Sequence, residues 1–193
     1  TGATALTIAA DAVDIAMLSA TGTADATTFL RGDNAWAAAG GDNTPSFQAR
    51  NTSAQASLTQ DTYYKISYNT EDWDTDSAYD HSTNYRFTVP AGEGGKYCFH
   101  AQCYCMTDAR GYLKQSKMYF YKNGSASIYG AINDRRGTNS SEADFTNNVH
   151  VDAIIELVAT DYIEVYVTIS TQSGDFEIDN NRGYFSGYKL IGV

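Results

Sequence analysis

Basic residues are scarce in this chain, cysteines are few, and long hydrophobic runs are missing. The 13 Lys and Arg face 23 Asp and Glu, which gives a formal net charge of −10. Phosphate binding draws its affinity from counterions that Lys and Arg release, so this charge argues against DNA or RNA as a partner and against adsorption to anionic lipid. No stretch approaches the ~18 apolar residues of a membrane-spanning helix. We therefore expect a soluble protein without nucleic-acid partners or membrane insertion.

The three cysteines, Cys98, Cys103 and Cys105, cannot form a closed set of disulfides. On an extended strand Cys103 and Cys105 share one face, while Cys98 and His100 lie on the other. Buried free thiols are therefore expected rather than a redox or zinc site.

Catalytic signatures are also missing from the sequence. It contains no G-x-S-x-G, H-E-x-x-H, Walker or G-x-G-x-x-G motif, and this absence predicts that the protein is not an enzyme. Two carboxylates at the right separation can hydrolyse a glycan, so a depolymerase is the alternative. The 23 acidic residues are too many to mark one such pair.

The composition changes near residues 40–45. Before Gly41 the chain is rich in Ala and Thr, whereas all 15 Tyr and most of the charge follow it. We therefore predict an N-terminal stalk or attachment segment over residues 1–43 and a separate head over residues 44–193. Thr1 is expected to be a processed or truncated start, because no Met or signal sequence precedes the chain.

From Pro45 onward the hydrophobic period is two, with turn residues between short runs rich in aromatic and β-branched side chains. Turns are predicted at residues 90–95 and at Asn123-Gly124. About eight strands without intervening helices predict an antiparallel sandwich or barrel. The predicted strands cover residues 46–51, 62–69, 85–89, 96–106, 117–124, 149–158, 162–170 and 184–193.

Five motifs in this region resemble, in order and spacing, the C1q-like globular head, a ten-strand jelly roll related to the tumour-necrosis-factor fold. They are PSFQARN, NYRFTVPAGEGGKYCFHAQ, MYFYKNG, IIELVATDYIEVYVT and GYFSGYKL. The resemblance covers roughly residues 44–193 and implies an all-β antiparallel jelly-roll sandwich that forms a homotrimer. Thr160-Asp161 stands where the family usually has Gly-Asp, so this turn departs from the pattern.

The stretch TGTADATTFLRGDNAWA resembles a short segment of bacteriophage tail fibres and related virion appendages that precedes a receptor-binding tip. It has too few large apolar residues for a core of its own. We therefore expect Phe29, Leu30 and Trp36 to be buried against copies of themselves around a three-fold axis, where each contributes roughly 1.5–3 kcal/mol. A flexible linker is the alternative.

Together the two resemblances imply a phage virion structural protein on the particle surface. The favoured hypothesis is a trimeric fibre or appendage that is joined to other virion proteins by its N-terminal segment. Its head would bind a host surface polysaccharide or protein. A capsid decoration or cement protein has the same design and stays an alternative. A secreted C1q-like recognition protein is less favoured, because the sequence shows no G-X-Y tract or coiled coil.

The ligand site is predicted from the direction of the strands. If the last strand finishes at the stalk end, alternation makes loops 171–182, 125–148 and 90–95 distal and turns 159–161 and 107–115 proximal. Rings beside carboxylates, amides and guanidinium groups suit a sugar, although solvated loops are also polar. The predicted ligand residues are Tyr129, Arg135, Arg136, Asp175, Phe176, Glu177, Asp179, Asn180 and Asn181.

Calcium is a candidate cofactor. Four carboxylates, Asp72, Asp74, Asp76 and Asp80, fall within nine residues, and their repulsion requires a cation or open solvent. The spacing imitates the start of an EF-hand loop, but Ser at position 77 and Thr at position 83 replace the Gly and Glu of that loop. A solvated acidic loop is the alternative.

Overall fold

The computed structural model describes residues 19–38, 43–107, 113–134 and 146–191. Within these ranges there are fifteen β-strands and no helix. The chain divides into two compact units, one that ends at Asp42 and one that begins at Asn43. In the described part of the chain, no helix has the length and hydropathy to span a bilayer.

The first unit contains a small hairpin of β1 (Thr28–Leu30) and β2 (Trp36–Ala38). Phe29 and Leu30 are 47% and 37% exposed, and Trp36 is half-buried. The hairpin does not enclose these three side chains within one copy of the chain. Their burial between copies therefore stays a prediction.

In its described residues the second unit, the head, contains thirteen strands. In chain order they are β3 (Ser46–Arg50), β4 (Gln55–Leu58), β5 (Tyr64–Lys65), β6 (Thr70–Asp74), β7 (Tyr79–Asp80), β8 (Arg86–Thr88), β9 (Gly95–Thr107), β10 (Leu113–Lys122), β11 (Ser125–Asp134), β12 (Thr146–Leu157), β13 (Tyr162–Thr171), β14 (Phe176–Ile178) and β15 (Tyr184–Lys189).

These strands form two antiparallel sheets that face each other across one core. Sheet I has the order β11-β10-β13-β8-β7, with β5 also paired to β13. Sheet II has the order β4-β14-β9-β15-β3-β6, with β12 on the other edge of β9. The prediction of an all-β antiparallel sandwich is confirmed.

The period-two pattern is clearest in β9, where alternate residues are buried along thirteen positions. Cys103 and Cys105 face the core as free thiols with their sulfur atoms 3.5 Å apart, as predicted. The hydrogen bond to Cys105, together with burial, raises the pKa of the Cys103 thiol well above its ordinary value. Cys98 is half-buried on the opposite face.

Aromatic rings fill the centre of the core. Phe47 stacks on Tyr79 and Phe87 at centroid distances of 4.9 and 5.1 Å, and Phe185 meets it edge-on at 4.9 Å. Phe99 completes the group at 5.4 Å from Phe87. Each such pair contributes about 0.5–1.5 kcal/mol beyond the burial of its surface. This cluster joins the two sheets, since β3, β9 and β15 belong to sheet II and β7 and β8 to sheet I.

The prediction of about eight strands and a long loop over residues 125–148 is wrong. Asn123 and Gly124, both with positive φ, form a tight turn from β10 into the ten-residue strand β11. Gly130 allows β11 to approach β12, because a Cβ there would lie 2.5 Å from the Cβ of Val151. β11 was missed because it is rich in Ser, Ala and Gly rather than in β-branched residues.

One missed strand reverses the expected position of every loop that precedes it. Loop 90–94 was expected to be distal but lies where β15 ends, because Lys189 pairs with Glu93 at 2.9 Å. The connection after Thr107 was expected to be proximal. It leaves β9 at the opposite end and enters β10 at Leu113, which is paired with Thr171 at the end of β13.

The turn at Thr160-Asp161 is held by hydrogen bonds and an ion pair. Thr160 has a φ of 74°, a conformation that favours glycine. The Asp161 carboxylate accepts hydrogen bonds from Asn123 Nδ2 at 2.7 Å and the Val158 N–H at 3.0 Å, and Lys122 Nζ lies 2.8 Å away. These partners, Asn123 first, lower the pKa of Asp161 to about 2.

We expect Asp161→Asn to lower the free energy of unfolding by about 1–2 kcal/mol at pH 7, because it removes charge-assisted hydrogen bonds. A carboxyl with a depressed pKa stabilises the fold above its unfolded pKa of 3.8, and this contribution is lost as the pH falls through about 2. Urea unfolding at several pH values measures the difference, which should shrink between pH 4 and pH 2. An equal difference at pH 7 and pH 2 would contradict this account.

Candidate functional site

The structure separates the predicted ligand residues. Arg135 and Arg136 lie outside the described residues. Tyr129 lies within β11 of sheet I rather than in a distal loop, and it is 68% exposed. The other predicted residues, between Asp175 and Asn181, follow β13 and include β14 of sheet II.

Phe176 cannot contact a ligand as predicted, because it belongs to the core. It is 1% exposed, its ring lies 5.8 Å from that of Tyr64, and it pairs with Thr107 and Leu58. The run Phe-Glu-Ile alternates between core and surface, so Glu177 is half-buried on the outer side. The strand was missed in the sequence because it is only three residues long and polar residues flank it.

The predicted residues after β14 form the irregular connection between β14 and β15. β14 and β15 pair in line with the same edge of β9, and the chain bulges between them. Asp179 pairs with Arg182 at 3.3 Å, and the Arg182 guanidinium lies 4.7 Å from the ring centroid of Tyr104. Asn181, with a φ of 58°, donates its N–H to the Asn51 carbonyl at 2.7 Å. A ligand role for Asp175, Glu177, Asp179, Asn180 and Asn181 stays a prediction.

The acidic segment uses its carboxylates within the fold. Asp72 accepts hydrogen bonds from Gln48 and Arg50 at 2.8 and 2.7 Å, and these bonds, that of Gln48 first, lower its pKa. Asp74 accepts the N–H groups of Ala78 and Tyr79.

Asp80 likewise caps the turn that follows it. It accepts the backbone N–H groups of Thr83 and Ser82 and the Asn84 amide, and these bonds hold its pKa far below the usual range. Asp76 contacts Thr75 at 2.7 Å.

Asp74 and Asp80 line an open pocket of about 300 Å³, together with Glu71 and His81. Glu71 Oε1 and His81 Nδ1 are 2.6 Å apart. Among residues 19–38, 43–107, 113–134 and 146–191, no group of three or more His, Cys, Asp or Glu could hold a metal ion. Calcium binding therefore stays a prediction.

The outer face of sheet I carries five neighbouring tyrosines, here called the tyrosine row. Tyr129, Tyr119 and Tyr166 lie directly opposite one another on β11, β10 and β13. Tyr121 stacks on Tyr166 at 4.0 Å, and Tyr63, just before β5, lies 5.3 Å from Tyr119. The row thus brings one predicted ligand residue, Tyr129, next to four that were not predicted.

The tyrosine row combines a buried ring with exposed ones. Tyr119 is only 3% exposed although it points away from the core, because the rings of Tyr63, Tyr121 and Tyr129 surround it at 5.2–6.4 Å. Tyr63 and Tyr129 are 51% and 68% exposed. Neighbouring rings therefore fix the position of the row while two ring faces remain open.

Three hydroxyl groups of the row, those of Tyr119, Tyr121 and Tyr166, stay neutral over a wide pH range. Burial raises the pKa of Tyr119, Tyr121 and Tyr166, and a hydrogen bond with Tyr63 raises that of Tyr119 further. Neutral hydroxyls can both donate and accept hydrogen bonds.

Two polar pairs border the row. Lys65 lies opposite Tyr166 and pairs with Glu164 at 3.1 Å. Gln115 donates to Asp134 at 2.9 Å on the other side.

The outer face of sheet II presents aliphatic and small side chains. Tyr188, Cys98 and Ile154 lie in one cross-strand row, and Ile154 and nearby Val158 are 62% and 65% exposed. Ser46 lies opposite Tyr188 on β3, and its short side chain protrudes little from the sheet beside this row.

Cys98, His100 and Asp152 form a hydrogen-bonded line on the same face. His100 Nε2 lies 3.3 Å from the Cys98 sulfur, and its Nδ1 lies 2.8 Å from Asp152 Oδ1. In a catalytic triad these positions would be those of the nucleophile (Cys98), the base (His100) and the acid that orients the base (Asp152). The β9 backbone is paired on both edges here, so its N–H groups are committed to the ladder rather than to an oxyanion.

No family model matches the sequence, and no curated protein matches it. Solved structures do resemble the head. A crystal structure of murine APRIL is 9% identical, with 75% of this chain and 98% of that chain covered and a TM-score of 0.51. A second murine APRIL structure is 11% identical over the same shares with a TM-score of 0.50. The head has the jelly-roll fold of these structures.

The globular domain of zebrafish complement 1qA is a further match to this jelly roll. It is 14% identical, 76% of this chain and 98% of that chain are covered, and the TM-score is 0.48. At 9–11% identity the two APRIL structures establish the fold alone, and the predicted fold class is confirmed to that extent.

A sequence signal for the tyrosine row of the jelly roll does exist. In Met-Tyr-Phe-Tyr of β10, Met118 and Phe120 are buried in the core, so Tyr119 and Tyr121 must point outward. In β13 the spacing of Tyr162 and Tyr166 places both on that face. Which tyrosine lies beside which depends on the strand register, and the sequence did not specify that register.

Proposed function

We propose that this protein is a homotrimeric recognition head of a virion appendage, a fibre or tail tip that attaches to the surface of a host cell. The observation that carries the proposal is the jelly-roll head, which combines an apolar outer face on sheet II with a separate tyrosine-rich face on sheet I. The resemblance of residues 21–37 to phage appendage segments supports the virion setting. The net charge of −10 supports a partner other than nucleic acid.

The outer face of sheet II is the proposed contact between copies. It exposes Ile154, Val158 and Tyr188 beside the short side chains of Ser46 and Ser186. Burial of each large apolar side chain contributes roughly 1.5–3 kcal/mol, and a three-fold arrangement repeats this contribution in every interface. Short side chains beside them allow a neighbouring copy to approach closely.

The first experiment measures the mass of the purified chain by light scattering. We expect three times 21.0 kDa. The labelled trimer is then incubated with a panel of bacterial strains, and saturable binding to at least one strain is expected. A stable monomer at micromolar concentration, or a trimer that binds no strain, would overturn the proposal.

A second experiment locates the head on intact virions that carry the chain. Immunogold label on the C-terminal unit should appear at a fibre or tail tip. Label spread over the capsid would instead identify a decoration protein.

A further inference from the structure

We propose that the tyrosine row is a glycan-binding platform that receives the sugar rings of an uncharged polysaccharide. This inference deepens the proposed recognition function and rests on it for the source of the polysaccharide, the host surface. The site lies on the flank of the head, on the outer face of sheet I, rather than in the end loops that the sequence suggested.

The ring arrangement provides the stacking surface. Tyr129, Tyr119 and Tyr166 occupy three adjacent strands, which at ~4.8 Å per strand spacing gives a row about 10 Å long. Tyr119 is held in place by its neighbours, whereas Tyr129 and Tyr63 keep open ring faces. A sugar ring presents a face of C–H groups, which packs on an aromatic face with little ordering cost because these rings are already positioned.

The border of the row provides hydrogen bonds. Sugar hydroxyls both donate and accept hydrogen bonds, as does the phenolic hydroxyl of tyrosine. The Lys65–Glu164 pair adds a cationic donor and an anionic acceptor side by side at 3.1 Å. Ligand sites commonly combine aromatic walls with a few polar groups of this kind.

Size distinguishes a glycan from a protein partner. The row extends about 10 Å across the strands and about 7 Å along them, a footprint on the order of 100 Å². A stable protein interface buries about 800 Å² on each partner. The aromatic surface therefore suits one or two sugar rings.

Charge favours a neutral ligand. Of the two pairs that border the row, Lys65 with Glu164 has no net charge, and Gln115 with Asp134 contributes one carboxylate. The chain as a whole carries −10, so an acidic polysaccharide would be repelled over longer distances.

The test measures capture of the trimeric protein by biolayer interferometry on immobilised dextran, mannan and neutral O-antigen polysaccharides, with alginate as the acidic probe. We expect saturable binding to at least one neutral probe and none to alginate. Tyr129→Ala and Tyr63→Ala should each weaken binding at least tenfold. Tyr129→Phe, which keeps the ring face, should stay within about threefold of the wild type.

Trp73→Ala is the matched control, because it removes a 48% exposed aromatic ring from β6, on the edge of sheet II opposite to that of Ile154 on β12. Light scattering should show that this variant keeps the mass of the wild type. The substitution should leave binding unchanged, and thermal melting should show that all variants fold. The proposal is overturned if no neutral probe binds, if alginate alone binds, or if Trp73→Ala weakens binding as much as Tyr129→Ala.

Bacterial cells separate this proposal from the broader function. Binding of the trimer should be lost when cells are treated with periodate, which destroys sugar rings, and retained after proteinase K. The opposite result identifies a protein partner and overturns the platform. If Tyr129→Ala trimers attach to cells as well as the wild type does, the recognition function stands and the platform does not.

Discussion

Replacing Phe47 by alanine is expected to lower the free energy of unfolding by about 3–5 kcal/mol. Phe47 is 1% exposed and touches the rings of Tyr79, Phe87 and Phe185 at centroid distances of 4.9–5.1 Å. These neighbours are held by both sheets, so they cannot collapse into the space that the lost ring leaves. Since a domain of this kind has about 5–15 kcal/mol of stability, roughly a fifth or more of it would be lost.

Urea unfolding followed by circular dichroism measures this effect, with Trp73→Ala as the control. Trp73 pairs with Gln48, next to Phe47, but points away from the core and is 48% exposed. Its removal should change the stability by no more than about 0.5 kcal/mol. Equal losses in the two variants would show that the ring cluster is not the centre of the core.

Ile154→Asp is expected to convert the proposed trimer into a monomer at micromolar concentration. The substitution removes an exposed aliphatic side chain from the row that Ile154 forms with Cys98 and Tyr188, and it places a carboxylate there. In a trimer this change occurs in every interface, where it removes apolar burial and leaves a charge without water or a partner.

Light scattering measures the mass of the Ile154→Asp variant, and Ile132→Asp is the matched control. Ile132 is 53% exposed on β11, at the edge of the opposite sheet, and its replacement should leave a trimer. A trimer that survives Ile154→Asp and dissociates with Ile132→Asp would move the contact between copies to sheet I.

The sequence predicts best those strands that have a core on one side and solvent on the other. In β9 the alternation extends over thirteen residues, and the predicted strand at 96–106 differs from it by one residue at each end. β11 shows no such pattern, because Gly130 is required for its approach to Val151 and its small residues are typical of loops. Its strand conformation depends on pairing with β10, a tertiary effect that local propensity does not encode.

At the candidate site, too, contacts that depend on tertiary structure could not be predicted from the local sequence. Tyr129 was singled out for its aromatic ring, but it meets Tyr119 only through the register of the β10–β11 pair. Tyr63, which is distant in sequence, packs on Tyr119. Phe176 was assigned to the surface although the short alternation of Phe-Glu-Ile places it and Ile178 inside. The motif around Gly187 was more informative, because a Cβ there would lie 2.4 Å from Cδ1 of Phe99 and only glycine leaves room for the ring.

The position of β15 determines when the head can be completed during its synthesis. This last strand lies between β3, the first strand of the head, and β9, and it pairs with both. While the ribosome is still making the preceding residues, the facing edges of β3 and β9 have no partner. Open edges of this kind recruit strands from neighbouring nascent chains. Chains made close together on one messenger RNA therefore stay exposed to such pairing until β15 has been made and has filled the space between β3 and β9.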